Sequence, residues 1–268
     1  MRCVMSRHLL RALFLSLALA ATAPAFAAEP ATPKTGQEIL AEADRVRNPG
    51  QPFRVQNTLV EYRDGQPQDK LVLNIFSKES ATTHQFRNLA RYVSPARDNG
   101  KLFLMDGKVM WFYDPASSAS IRISPQQRLL GQASNGDVLT VNLARDYSAQ
   151  LLGEEKIQDA NRKDVECWRL ELTQATEGAV YSKIDYWIEK ATFLAVKGRF
   201  YSDSGRLLKI IYYTNYQPAL GGMRASEALI LDEVDRSVVT KMSFSDYRAA
   251  EIPESWFQRD YLPRLPSE

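Results

Sequence analysis

From Phe53 to Tyr247 the chain reads as one short strand pattern after another, nearly all separated by turn signals, with a single clear helical stretch ahead of them. A chain written this way does not make a helical bundle or a doubly wound α/β layer, because both need helices recurring along the sequence. Asp64-Gly65, between strands predicted over Phe53–Tyr62 and Asp69–Ser77, is the signal of a hairpin. Asp98-Asn99-Gly100, Asp203-Ser204-Gly205 and Gly221-Gly222 divide the later segments in the same manner. The expected product is a meandering antiparallel sheet. Ahead of it, Thr35-Gly36-Gln37-Glu38 has the form of a capping box, and Ile39, Leu40, Ala43 and Val46 share one helical face up to the stop at Asn48-Pro49-Gly50. This predicts a helix from Gly36 to Arg47, with further helical pieces only within Asp137–Ala144 and near Pro253–Phe257.

Alternation along the strands says which face is dry, since successive side chains point to opposite faces. Val55 and Leu59, then Leu71, Leu73 and Ile75, then Trp168, Leu170 and Leu172, then Ile184 and Tyr186, then Met242 and Phe244 recur at even spacing. Polar residues such as Lys183, Asp185, Lys241 and Ser243 oppose them. So broad an apolar face, with so few helices to cover it, leaves two outcomes. Either the sheet closes on itself as a barrel or sandwich, or it curves round the helices and keeps an apolar hollow. The strand Val109–Tyr113 is unusual in placing Met110, Trp111, Phe112 and Tyr113 side by side, so it is expected to meet apolar surroundings on both faces. Phe200-Tyr201, Tyr212-Tyr213 and Tyr216 fit a core, a sugar-stacking platform or a lipid-pocket wall, with core the default for any one of them.

Residues 1–27 are expected to be a cleaved secretory signal. Arg2, Arg7 and Arg11 precede the apolar run Ala12–Ala21, and Ala25-Phe26-Ala27 fits a small-x-small cleavage site. The run is interrupted by Thr22 and Pro24, short of the about 20 apolar residues a membrane span needs, so the chain is not expected to span a membrane. Residues 28–268 are then one exported domain, expected in a bacterial periplasm. The leader holds three Arg and no acid, so its removal turns a formal charge of +2 into −1. With no basic field or run, nucleic acid is not an expected partner.

Catalytic chemistry finds little to work with. Outside the leader, His84 is the only histidine and Cys167 the only cysteine. Neither has a partner at metal-ligand spacing, and no nucleophile-elbow, GxGxxG or Walker sequence is present. No disulfide, metal or cofactor is expected, and the chain is not expected to be an enzyme.

The string "DGKVMWFYDP", with its Gly-Lys turn, aromatic strand and Tyr-Asp-Pro turn, resembles the LolA-like family of periplasmic outer-membrane lipoprotein-sorting proteins. So do "DYSAQLLGEEKI", "CWRLELT", "YSKIDYWIEKATFLAVKGRFYSDSGRLLK" and the closing "IPESWFQRDYLPR", in their order and spacing, so that the likeness runs from Gly36 to Arg264. Ser134-Asn135-Gly136-Asp137-Val138-Leu139 departs from the Ser-Asp-Phe type sequence usual at that place. The resemblance implies a mainly β fold: a curved antiparallel sheet forming an incomplete half-barrel, its concave apolar face lidded by helices. It also implies a carrier of lipid or lipoprotein acyl chains, with an inner-membrane transporter among its partners. The wall of such a cavity would be Val55, Leu59, Leu71, Leu73, Ile75, Trp111, Trp168, Leu170, Leu172, Ile184, Tyr186, Met242 and Phe244. Its lid would be Ile39, Leu40, Ala43, Val46, Leu139 and Leu143. The alternative is an interaction or sensor module of the same fold that regulates an inner-membrane partner, an exporter or an envelope-stress regulator.

Overall fold

The computed structural model describes residues 34–266. The expected signal sequence, residues 1–27, lies outside them. The first element is helix α1 (Gly36–Arg47), opened by the capping box: the Glu38 amide donates to Thr35 Oγ1 and the Thr35 amide donates to Glu38 Oε2. A first meander follows in β1 (Phe53–Arg63), β2 (Gln66–Glu79), β3 (Phe86–Ser94), β4 (Leu102–Asp106), β5 (Val109–Asp114) and β6 (Ala119–Ile123). A crossing segment carries a small hairpin, β7 (Arg128–Leu130) with β8 (Ala133–Ser134), and a single-turn helix, α2 (Leu143–Asp146). A second meander then runs through β9 (Tyr147–Gln158), β10 (Asp164–Gln174), β11 (Lys183–Glu189), β12 (Ala195–Tyr201), β13 (Leu207–Ala219), β14 (Gly222–Asp232) and β15 (Val238–Ala249).

The two meanders form one antiparallel sheet of 13 strands, ordered β6-β5-β4-β3-β2-β1-β15-β14-β13-β12-β11-β10-β9. It is curved and does not close into a barrel, as expected, so β6 and β9 are edges. The β1–β2 turn has Asp64 at φ 50° and Gly65 at φ 75°, the left-handed pair that a two-residue hairpin needs.

The edge at β9 is covered by α1. A Cβ on Gly36 would lie 2.6 Å from both the Ala149 carbonyl oxygen and the Leu151 nitrogen, so only glycine lets the helix start come this close to the strand. The neighbouring Gln37 side chain then takes the place of a strand partner: its Oε1 accepts from the Ala149 amide at 2.9 Å and its Nε2 donates to the Ala144 carbonyl at 2.9 Å. The start of the open strand edge is thereby satisfied, at the Ala149 amide and, through Gln37 Nε2 at 3.3 Å, at the Tyr147 carbonyl.

Between β6 and β9 the chain crosses the concave face. The predicted helix over Asp137–Ala144 is not continuous. Residues Asn135–Val138 form a 3-10 turn, Leu139–Asn142 are extended, and only Leu143–Asp146 closes an α turn. The local reason is amide side chains on the sheet that hold the extended stretch. Asn88 Nδ2 donates to the Thr140 carbonyl (2.9 Å) and Asn88 Oδ1 accepts from the Thr140 amide (3.1 Å). Gln85 does the same for Asn142, at 3.1 Å and 2.7 Å. Thr140 and Asn142 thus bond as if to a strand, which leaves their backbone groups unavailable for a helix.

On the convex side, two 3-10 turns, Glu254–Phe257 and Arg259–Arg264, cover the first meander. Strand β5 therefore meets apolar neighbours on both faces, as its sequence requires. Met110 and Phe112 join the concave core, while Trp111 and Tyr113 join the convex cluster of Phe76, Leu89, Leu102, Leu104, Ile252, Phe257 and Leu262.

Candidate functional site

A cavity of about 150 Å³ remains under the crossing segment, on the concave side. Its roof is the 3-10 turn and extended stretch from Gly136 to Leu143. Its floor is Val55 of β1, Ile184 of β11, Phe200 of β12, Ile211 and Tyr213 of β13, and Met242 and Phe244 of β15. Arg47-Asn48-Pro49, at the end of α1, and Arg224 of β14 stand at one end. Asp146, Tyr147, Val180, Tyr181, Ala225 and Tyr247 complete the lining.

Six of the expected residues therefore meet around one space: Val55, Ile184, Met242 and Phe244 as wall, with Leu139 and Leu143 as cover. Leu59, Leu71, Leu73, Ile75, Leu170, Leu172 and Tyr186 belong to the same buried cluster but lie behind the cavity, in the closed part of the core. Trp168 packs at the margin of that cluster with its ring 5.0 Å from Phe193. Ile39, Leu40 and Ala43 are buried core contacts of α1 rather than cavity lining, and Val46 faces a polar groove on the outer side of the helix. Trp111 is a correction. The pleat sends it to the convex face, where the Arg259 guanidinium lies 4.9 Å from its ring centre, because the alternate positions Met110 and Phe112 take the concave side.

The roof is fixed by polar groups that the hydrophobic pattern does not reveal. Asp137 accepts from the Tyr181 hydroxyl (2.5 Å) and from the Ser134 amide (2.7 Å), and pairs with the buried Lys209 ammonium. Lys209 also donates to the Gln132 carbonyl at 3.0 Å, tying β13 to the crossing segment. The departure at Ser134–Leu139 is thus a structural anchor. Asp44 of α1 pairs with Arg47 at 2.6 Å and accepts from the Ala144 amide at 2.7 Å. Arg47 and Asn48 both donate to the Val141 carbonyl, at 2.7 Å and 3.0 Å. Asp146 accepts from Gln85 (2.9 Å) and Thr176 (2.8 Å), and burial raises its carboxyl above the usual range. Sequence periodicity passes over all of these because they are isolated polar residues on apolar faces. The signal was there only as charge out of phase, as with Lys209 between Leu207 and Ile211 and Arg224 four residues before Ala228.

The two residues weighed for catalysis lie elsewhere. His84 is exposed beside Glu79, with Nδ1 at 3.0 Å from Oε1. Cys167 is buried with Trp187 and Val196, and burial, followed by Glu189, pushes its thiol pKa up to about 12, which keeps it protonated and a poor nucleophile. Among the described residues no three His, Cys, Asp or Glu converge as metal ligands, and no helix is long and apolar enough to cross a membrane.

Among curated protein sequences, none matches the chain. A family profile described as "Uncharacterized protein" matches residues 84–264. The crystal structure of a LolA superfamily protein from Nitrosomonas europaea is similar over 85% of this chain and 100% of its own, at 32% identity and a TM-score of 0.75. A DUF1329 family protein from Desulfovibrio piger has TM-score 0.72 at 22% identity, with 85% of this chain and 97% of its own covered. A putative outer membrane lipoprotein-sorting protein domain from Vibrio parahaemolyticus has TM-score 0.71 at 20% identity, with 85% and 98% covered. These last two share the fold, and the first shares enough sequence as well to place the family: the chain belongs to the LolA superfamily.

Proposed function

We propose that the protein is a periplasmic carrier that shields an acyl chain of a lipid or lipoprotein in the concave cavity and hands it to another apolar site. The observation that carries this reading is the lidded apolar space itself, roofed by a segment that side chains, not a strand ladder, hold in place. A partly open, mainly apolar space of about 150 Å³ is the size of engineered cavities that accept a benzene-sized group. A whole acyl chain therefore requires the roof to lift. The roof is suited to that, since the extended stretch Leu139–Asn142 is fastened to β3 mainly through Gln85 and Asn88. The sheet strands, which are held by backbone ladders, stay in place.

Burying an acyl chain is worth about 0.8 kcal/mol per methylene, so a sixteen-carbon chain gains roughly 12 kcal/mol. Release into water would be very slow at that cost. Loading and delivery would then pass directly between apolar sites, with an inner-membrane transporter the natural donor. The test is uptake of a fluorescent fatty acid by delipidated protein, together with mass spectrometry of lipids that co-purify. Saturable uptake at one chain per protein, competed by lipid, supports the carrier. A folded protein that takes up nothing and retains nothing removes it.

A further inference from the structure

Among the described residues, the buried charges on the concave side have an opposite charge beside them except at Asp146 and Arg224. Asp44 has Arg47, and Lys209 has Asp137. Asp146 has only neutral donors, but a buried carboxyl can take up a proton, and its pKa is indeed raised by burial. A guanidinium has no such escape, because it stays charged at any ordinary pH. Arg224 is only 6% exposed, and among the described residues no carboxylate pairs with it. Its Nη1 donates to the Val46 carbonyl and its Nη2 to the Leu220 carbonyl at 3.4 Å, while its buried Nε has no partner. The Val46 carbonyl at the end of α1 and the Leu220 carbonyl in the β13–β14 turn offset part of one charge. Arg47, already matched by Asp44, adds a second guanidinium to the same end of the cavity. An uncompensated buried cation is costly unless something anionic completes it.

The position of Arg224 says where that anion would come from. Arg224 lines the apolar cavity and also the open polar groove of about 710 Å³ between α1 and the β13–β14 turn. It stands where the dry space meets the wet one. We infer that Arg224 receives the anionic headgroup, a carboxylate or phosphate, of an amphiphile whose tail fills the cavity. This rests on the carrier reading and narrows its cargo to acidic amphiphiles, with the headgroup in the groove and the chain under the roof. Tyr247, which also lines the cavity beside β14, offers a hydroxyl to the same headgroup.

The experiment compares hexadecanoic acid with hexadecanol as competitors of a fluorescent fatty acid on the full protein. The acid is expected to bind about 10-fold to 100-fold tighter, the size of a charge-assisted hydrogen bond set in a partly buried site. In Arg224→Gln the acid falls to the affinity of the alcohol. In Arg224→Lys, which keeps the charge and loses the fork, the preference persists in reduced form. The wild-type comparison stands even if Arg224→Gln fails to fold. Equal binding of acid and alcohol overturns the headgroup site and leaves the cavity. Binding of neither overturns both readings. An acid preference that survives in folded Arg224→Gln overturns Arg224 as the receptor. Saturable binding of inorganic phosphate in calorimetry, without acid preference, reassigns the site to a free anion and overturns the amphiphile.

Discussion

Strands β3 to β5 bury Leu89, Leu102, Leu104 and Tyr113 on the convex side and Ala90, Phe103, Met105 and Met110 on the concave side, yet the two sides are closed by different means. The convex side is sealed by the chain's own C-terminal turns. Trp256 meets Phe76 edge-on at 5.2 Å, Arg87 lies over Phe257 at 4.7 Å, and Glu254 pairs with Lys78 and Arg87 at the rim. Its charges stay at the edge and its centre is apolar. On the concave side, the cover is a segment threaded through buried ion pairs and amide contacts, and a space is left beneath it. A surface closed by apolar fit loses stability when opened. One fastened at a few polar points can be released at those points while the strands beneath stay paired.

The sharpest way to break this contrast is at the polar fastening. Asp137→Leu strands the buried Lys209 ammonium and is expected to cost about 3–5 kcal/mol, measured by denaturant unfolding. The double variant Asp137→Leu/Lys209→Met should recover most of it, and no recovery would mean that the pair is not the anchor described. Next, Leu104→Ala on the convex side is expected to cost about 2–5 kcal/mol and to leave fatty-acid uptake by the folded fraction unchanged. Val55→Phe, by contrast, fills the cavity. It should change stability by less than about 2 kcal/mol, because the added atoms enter empty space, while uptake falls at least about tenfold. If Leu104→Ala abolished uptake and Val55→Phe did not, the functional face would be the wrong one.

The smallest effect is a pH dependence. Burial raises the Asp146 carboxyl, so the folded protein holds that proton to a higher pH than the unfolded chain does. Between the two pKa values the folded state binds more protons, and this group's contribution to stability declines as pH rises. Asp146→Asn removes the titration. The melting temperature of the variant relative to wild type should move in the variant's favour between about pH 4 and about pH 7. A difference constant across that range would mean that Asp146 ionises without penalty.

Much of the sheet was legible in the sequence because its information is local. Asp64-Gly65 sets a turn, and alternation at Leu71, Leu73 and Ile75 sets a face. The division of the apolar face into closed core and cavity was not legible, since Leu170 and Ile184 carry the same pattern and differ only in what crosses above them. Nor was the fate of Asp137–Ala144, where Asn88 and Gln85, more than fifty residues upstream, replace helical bonds. Trp111 was misplaced because four consecutive large apolar residues erase the alternation that would have assigned its face. Arg224 was invisible as a site, because a lone arginine on a strand usually finds solvent or a carboxylate, and only the folded chain shows that it finds neither.

The central pairing of β1 with β15 has a further consequence, for how the chain folds. Within each meander, neighbouring strands are also neighbours in sequence, so their hairpins close short loops. The seam between Phe53 and Ala249 closes nearly the whole domain. Loop-closure entropy and the slow folding of distant β pairings make that seam the late event, joined after two half-sheets have formed locally. Substitutions at Asn57 and Thr240, both fully buried on the seam, should therefore speed unfolding far more than they slow folding. Substitutions in the β1–β2 turn should do the reverse. Equal effects on folding from both places would indicate that the sheet forms from its middle outward.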